Sequence, residues 1–141
     1  MAYPFPSEAW LEALKEVLNS DERYARTAKN WEGDMTVVIE QGEQGRVENL
    51  PVAKYLDLWH GKCRDVKMID PEQEKLPEAA FTLRATIDNI YKIFTGDLDP
   101  MQAMLTRRLR VEGNMAYMLR NVPTVLEFVR CARNVEIENQ V

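Results

Sequence analysis

The sequence predicts an α+β domain: a five-stranded, mainly antiparallel sheet covered on one face by helices. Three observations predict it. Four segments suited to strands form a block between residues 35 and 85, and a fifth stands apart at 108–112. Segments with helical periodicity come before that block, between it and the fifth strand, and after the fifth strand. Residues 86–112 join two short amphipathic helices to a strand, with start and stop signals that agree with one another.

Residues 1–6, with prolines at 4 and 6, read as an extended lead-in. Ser7 and Glu8 open a helix that carries Trp10, Leu11, Leu14, Val17 and Leu18 on one broad stripe, and Trp10 reads as core. Asn19, Ser20 and Asp21 bend or interrupt it, with Ser20 able to cap a continuation through Tyr24 and Ala28. Trp31-Glu32-Gly33-Asp34 turns into the first strand, 35–40, where Thr36, Val37, Val38 and Ile39 favour a pleated surface. Gly42 and Gly45 mark a loop.

Beyond Pro51, residues Val52, Lys54, Leu56 and Leu58 alternate against Ala53, Tyr55, Asp57 and Trp59. His60-Gly61-Lys62 makes a hairpin and residues 63–69 return from it. A surface loop follows at 70–77. The fourth strand, 79–85, turns Ala79, Phe81, Leu83 and Ala85 one way and Thr82 and Arg84 the other.

Thr86 caps the next helix, whose Ile87, Ile90, Tyr91 and Phe94 fall at i, i+3, i+4 and i+7. Gly96 stands where a helix end wants a residue at positive φ. Asp99-Pro100 restarts the chain, with Asp99 as side-chain acceptor and Pro100 at the first helical position. Met101, Met104 and Leu105 give this second helix an apolar face. The fifth strand alternates Leu109 and Val111 with charged residues, and Gly113-Asn114 turns out of it. Met115, Met118, Leu119 and Val122 define another amphipathic stretch, which Pro123 breaks or restarts. Val125, Leu126, Phe128, Val129 and Ala132 carry the last helix, and 134–141 is a polar, frayed end.

A chain of 141 residues is long enough for one domain, 1–141, with a real core. Hydrophobic residues at 45% and charged residues at 29% fit an ordinary soluble globular protein. The net charge of −5 gives no electrostatic reason to expect nucleic acid or an anionic membrane as partner. No apolar run approaches the roughly 20 residues of a membrane span, and no basic-then-apolar leader stands at the N-terminus. Cys63 and Cys131 lack the paired spacing of a zinc site or redox motif, so two reduced thiols and a cytoplasmic location are expected.

Catalytic chemistry finds little support. His60, the sole histidine, sits at a hairpin tip with no acid or cysteine at a motif spacing. No nucleophile elbow, phosphate-binding loop, dinucleotide fingerprint or zincin motif is present. Asp97 and Asp99 are not followed by an EF-hand ligand series, so no metal or cofactor is expected. What stands out is methionine: five of seven lie at 68, 101, 104, 115 and 118. Met fills irregular space and repacks around varied apolar partners. A face of Met101, Met104, Leu105, Met115, Met118 and Leu119 suits either a plain core or a cavity for a long apolar ligand.

Residues 94–122 resemble the signature half of the sterol carrier protein type two family. Thr95-Gly96, Leu98-Asp99-Pro100, the strand Leu109-Arg110-Val111 with Glu112-Gly113, and the helix from Met115 match the family pattern in order and spacing. The upstream order of one helix and then strands also suits that fold. The resemblance implies a five-stranded sheet whose helices enclose a hydrophobic tunnel for fatty acyl chains, acyl-CoA or sterols, with no metal and no catalytic residue. Two departures are Arg107-Arg108, where a small residue and lysine are common, and the final Asn139-Gln140-Val141 in place of a peroxisomal tripeptide. The second implies a prokaryote-like cytoplasmic version.

The expected function is therefore non-catalytic binding or transfer of a lipid: a fatty acid, an acyl-CoA or a sterol-like molecule. Candidate lining residues are Phe94, Met101, Met104, Leu105, Met118, Leu119, Val125, Phe128 and Val129. One rival is a structural or homodimerisation module with a closed core and no ligand. Another is a small-molecule enzyme using Asp57 or His60 at the sheet edge.

Overall fold

The computed structural model describes residues 7–42 and 50–136. The expectations for residues 1–6, for Gly45 and for 137–141 lie outside the described residues. Helix α1 (Glu8–Ser20) starts from Ser7, whose hydroxyl accepts the Trp10 amide at 3.1 Å. It buries Trp10, Leu11, Leu14 and Leu18, and each such large side chain contributes about 1.5–3 kcal/mol of transfer free energy. Helix α2 (Glu22–Thr27) is capped by Asp21, which accepts the Tyr24 amide at 2.8 Å. Ser20 does not cap it: its hydroxyl bonds back to the carbonyl of Glu16 at 2.8 Å, as serine does inside a helix.

Strands β1 (Met35–Glu40), β2 (Val52–Trp59), β3 (Lys62–Ile69), β4 (Phe81–Thr86) and β5 (Arg110–Gly113) form one sheet in the order β3-β2-β1-β4-β5. The β1–β4 pair is parallel and the other three pairs are antiparallel. β2 and β3 shift register between Leu56 and Leu58. The hairpin between them turns at His60 (φ 49°) and Gly61 (φ 79°), two left-handed residues in succession.

Helix α3 (Ile87–Thr95) begins under the Thr86 cap and ends at Gly96, with φ 88°. Helix α4 (Pro100–Leu105) has Asp99 accepting the Gln102 amide at 3.0 Å. Past β5, helix α5 (Met115–Arg120) is capped by Asn114, and α6 (Val122–Arg133) restarts with Pro123 in its first turn. Among the described residues no helix is long and apolar enough to cross a membrane.

Helices α1, α2 and α3 pack against α6, with α1 also on β3 and α3 on β1 and β4. The helix-facing side of the sheet presents Met35, Val37 and Ile39 from β1, Leu56 and Leu58 from β2, and Phe81, Leu83 and Ala85 from β4. The other side is not left bare. Val38, Ala53 and Ile69 are buried there, with Tyr55 and Leu76 packed on them. The 70–77 segment, expected as a surface loop, thus lends Leu76 to a small second core.

Candidate functional site

The sheet and the helices do not close completely on one another. Between them lies a cavity of about 80 Å³. Its floor is the inward row of the strands, with Met35 and Val37, Leu58 and Leu83. Pleating places these residues on one face, because alternate side chains of a strand point the same way. Ile90, Ile93 and Phe94 of α3 wall one side; Val125, Phe128 and Val129 of α6 wall another. Met104 of α4, Met118 of α5 and Leu109 also line it, as do Tyr24, Trp31, Pro100 and Thr124.

Polar atoms near this space are spoken for or neutral. The Thr124 hydroxyl donates to the Thr27 carbonyl at 3.2 Å. Burial pushes the Tyr24 phenol far above its ordinary range, which keeps it protonated. Trp31 donates its indole N–H to the Gly33 carbonyl at 2.9 Å, stacks on Phe81 and tilts against Tyr117. A lining of this kind favours hydrocarbon and offers it no hydrogen-bond geometry to satisfy.

A second cavity of about 30 Å³ adjoins the first and shares Val37, Ile90, Phe94 and Phe128 with it. Trp10, Leu11, Leu14, Ile39 and Leu56 form most of the remainder. Among the described residues its one ionisable side chain is Lys54, only 3% exposed, with Nζ 4.1 Å from the centroid of the Trp10 ring. Burial lowers the lysine pKa to about 7.

Six of the nine residues nominated from sequence lie on the larger cavity: Phe94, Met104, Met118, Val125, Phe128 and Val129. Met101, Leu105 and Leu119 do not line it. Leu105 is 77% and Leu119 56% exposed. A helix sends adjacent residues about 100° apart, so with Met104 and Met118 on the cavity their successors face solvent. Sequence reasoning missed the sheet floor and the α3 residues Ile90 and Ile93, although strand alternation and helical spacing marked their faces. It also missed Lys54, whose signal was a lysine on the otherwise aliphatic side of Val52, Leu56 and Leu58.

The residues of the enzyme reading stand elsewhere. His60 Nε2 lies 2.6 Å from Glu32 Oε2 at the exposed hairpin, and Asp57 is held by two bonds from Arg64, at 3.0 and 3.1 Å. Neither His60 nor Asp57 lines either cavity. Among the described residues no group of three or more His, Cys, Asp or Glu is placed to hold a metal ion.

A family model, that of the SCP-2 sterol transfer family, matches residues 11–125. The chain belongs to this family. That span runs from α1 into α6 and takes in the whole sheet, while Trp10, Phe128 and Val129 of the cavity walls lie just outside it. No curated protein matches the sequence. Among solved structures, the chain is similar to a crystal structure of sterol carrier protein 2, at 30% identity and a TM-score of 0.80, over 92% of this chain and 97% of that one. It is equally similar to the solution structure of a conserved hypothetical protein, possibly a sterol carrier protein, from Thermus thermophilus. There the identity is 29%, the TM-score 0.80, and the coverage 95% of this chain and 91% of that one. A sec-alkyl sulfatase variant shares the fold at 16% identity and a TM-score of 0.53, with the match covering 96% of this SCP-2 chain but 17% of the sulfatase.

Proposed function

We propose that this SCP-2 chain is a single lipid-binding domain, cytoplasmic and non-catalytic, that holds the hydrocarbon part of a lipid between its sheet and helices α3 to α6. The observation that carries the reading is the composition of the larger cavity wall: aliphatic, aromatic and methionine side chains on every side. Six nominated residues, Phe94, Met104, Met118, Val125, Phe128 and Val129, are the proposed contacts.

At about 80 Å³ the cavity is smaller than the roughly 150 Å³ that admits a benzene-sized guest in other proteins. A long chain therefore enters by displacing wall side chains. Met104 and Met118 suit that role, since an unbranched thioether has several low-energy shapes. Binding would draw on about 25 cal/mol per Å² of apolar surface buried, less the cost of ordering the chain.

A closed structural or dimerisation module is the second reading. It is favoured by the small cavity and by the exposed Leu105 and Leu119, which a partner copy would cover. Native mass spectrometry of the purified protein, followed by organic extraction, separates the two. A co-purifying fatty acid, phospholipid or acyl-CoA supports the carrier. A clean apo mass that does not shift with long-chain fatty acids, together with a concentration-dependent dimer, supports the closed module.

A further inference from the structure

The sheet has two edges, and they are built differently. At one, β3 is eight residues long, carries exposed Lys62, Arg64, Asp65 and Lys67, and shifts register against β2. Charge and irregularity of that kind keep an edge from pairing with another chain. At the other, β5 has four residues, and among the described residues β4 is its one strand partner.

Backbone alternation decides which groups of β5 face outward. The Phe81 amide donates to the Asp34 carbonyl at 3.2 Å, so Phe81, Leu83 and Ala85 of β4 turn their backbone groups toward β1. Thr82 and Arg84 turn theirs toward β5, where the register sets them opposite Glu112 and Arg110. Val111, opposite Leu83, directs its N–H and C=O away from the sheet. Its side chain packs on the helix-facing side, and Arg110 and Glu112 stand on the other.

We propose that β5 is a self-association edge: two copies of this chain pair β5 with β5, antiparallel, about a two-fold axis at Val111. Three features of this edge fit its own copy. The two Val111 residues become a bonded pair, each N–H donating to the other's C=O. Arg110 falls opposite the partner's Glu112, and Glu112 opposite the partner's Arg110, where opposite charges stabilise an antiparallel pair. Within the chain Arg110 already bonds Glu40, and Glu112 accepts from Arg84 at 3.2 Å. Pairing therefore builds two rows of alternating charge and breaks no ion pair. Third, the axis brings the end of β5 that follows α4 alongside the partner's end that leads into α5. Those helices carry Leu105 and Leu119, 77% and 56% exposed.

Such a contact is isologous, the same patch on both subunits, and closes at two copies. One short strand and two leucines make a small interface, of the transient class that buries less than about 1,200 Å². It lies outside both cavities and is independent of what they hold.

The test is sedimentation velocity between about 1 μM and about 1 mM protein, over which the native chain is expected to pass from monomer toward dimer. Arg110→Glu and Glu112→Arg each set like charges opposite one another in a homodimer. Each is expected to weaken self-association at least about tenfold. An equimolar mixture of the two variants offers one strand with two acids and one with two arginines, and is expected to form a heterodimer tighter than either homodimer.

Hydrogen exchange of the native protein needs no variant, and decides the matter even if a charge reversal prevents folding. Raising the concentration over the same range should slow exchange of the Val111 amide and leave the Arg110 and Glu112 amides, which face β4, unchanged. A native chain that stays monomeric, a dimer indifferent to both reversals, or a Val111 amide that does not respond would each overturn the proposal. So would a monomer that cosediments with phosphatidylglycerol vesicles and loses them in Leu119→Ser, because the exposed leucines would then serve a bilayer.

Discussion

Arg130 of α6 places a guanidinium nitrogen 2.6 Å from a carboxylate oxygen of Asp21, the residue that caps α2. The same arginine bonds Glu127 at 2.8 Å, and Glu127 also receives Arg23 at 2.9 Å. One carboxylate thus ends α1, starts α2 and ties both to the helix that walls the cavity.

This arrangement makes the fold sensitive to acid. Hydrogen bonding from Arg130 holds Asp21 below its ordinary value of 3.8, and bonding from Arg23 and then Arg130 holds Glu127 below 4.5. A carboxyl depressed in the folded state stabilises it above the unfolded pKa, and that contribution is lost as pH falls through the folded value. Urea midpoints should therefore fall between about pH 5 and about pH 3, and Asp21→Asn, which keeps a capping oxygen, should flatten part of that fall. At neutral pH Asp21→Ala should cost about 1–2 kcal/mol, since it removes the cap as well as the pair.

Met104 and Leu105 are neighbours with opposite exposures, and their variants should part company. Met104→Trp fills the cavity and is expected to weaken binding of a long-chain acid at least about tenfold, for a stability change below the roughly 1–3 kcal/mol of an overpacked core. Leu105→Ser should leave both quantities near native. Parallel binding titrations and urea melts check the pair; equal loss of binding and stability in Met104→Trp would mark Met104 as core.

Two glycines at similar φ should respond differently to alanine. At Gly61 (φ +79°) a Cβ would meet the Ala25 carbonyl oxygen at 2.7 Å, whereas at Gly96 (φ +88°) nothing lies within 4 Å. Gly96→Ala should cost only the left-handed penalty of about 1–2 kcal/mol. Gly61→Ala should cost more, because the β2–β3 hairpin must also move away from α2. Thermal melts of both variants read the difference.

The thiols of Cys63 and Cys131 are buried, and burial pushes their pKa values up to about 12 and about 11. The thiolate is the reactive form, so alkylation of the native protein should be slow at mildly alkaline pH. Both sites should label fast in denaturant. Mass spectrometry of quenched samples measures the two rates, and rapid native labelling at Cys131 would show that α6 opens locally.

Much of the fold was legible because its signals are local. The caps Ser7, Thr86 and Asp99 act on amides three residues on, and Gly96 ends α3 through its own backbone; the Asn114 cap was read only as part of a turn. Alternation in residues 52–59 and 79–85 assigned faces to strands without reference to their neighbours, and β-branched residues marked 35–40. Even the choice between Ser20 and Asp21 as cap for α2 was local, but it needed the helix end, which either residue could have set.

Pairing across distance was decided only in the tertiary structure. β1 lies parallel to β4 although the β2–β3 hairpin intervenes in the chain, and no spacing in the chain encodes it. Met104 and Leu105 are both apolar helix residues in sequence; only the placement of α4 in the fold turns one to the cavity and the other to water. Lys54 shows the same limit most sharply. The sequence put it on the apolar side of a strand, and the fold placed Trp10 over it and a cavity beside it. Periodicity fixes which way a side chain points relative to its own backbone. What it meets there is set by segments far away along the chain.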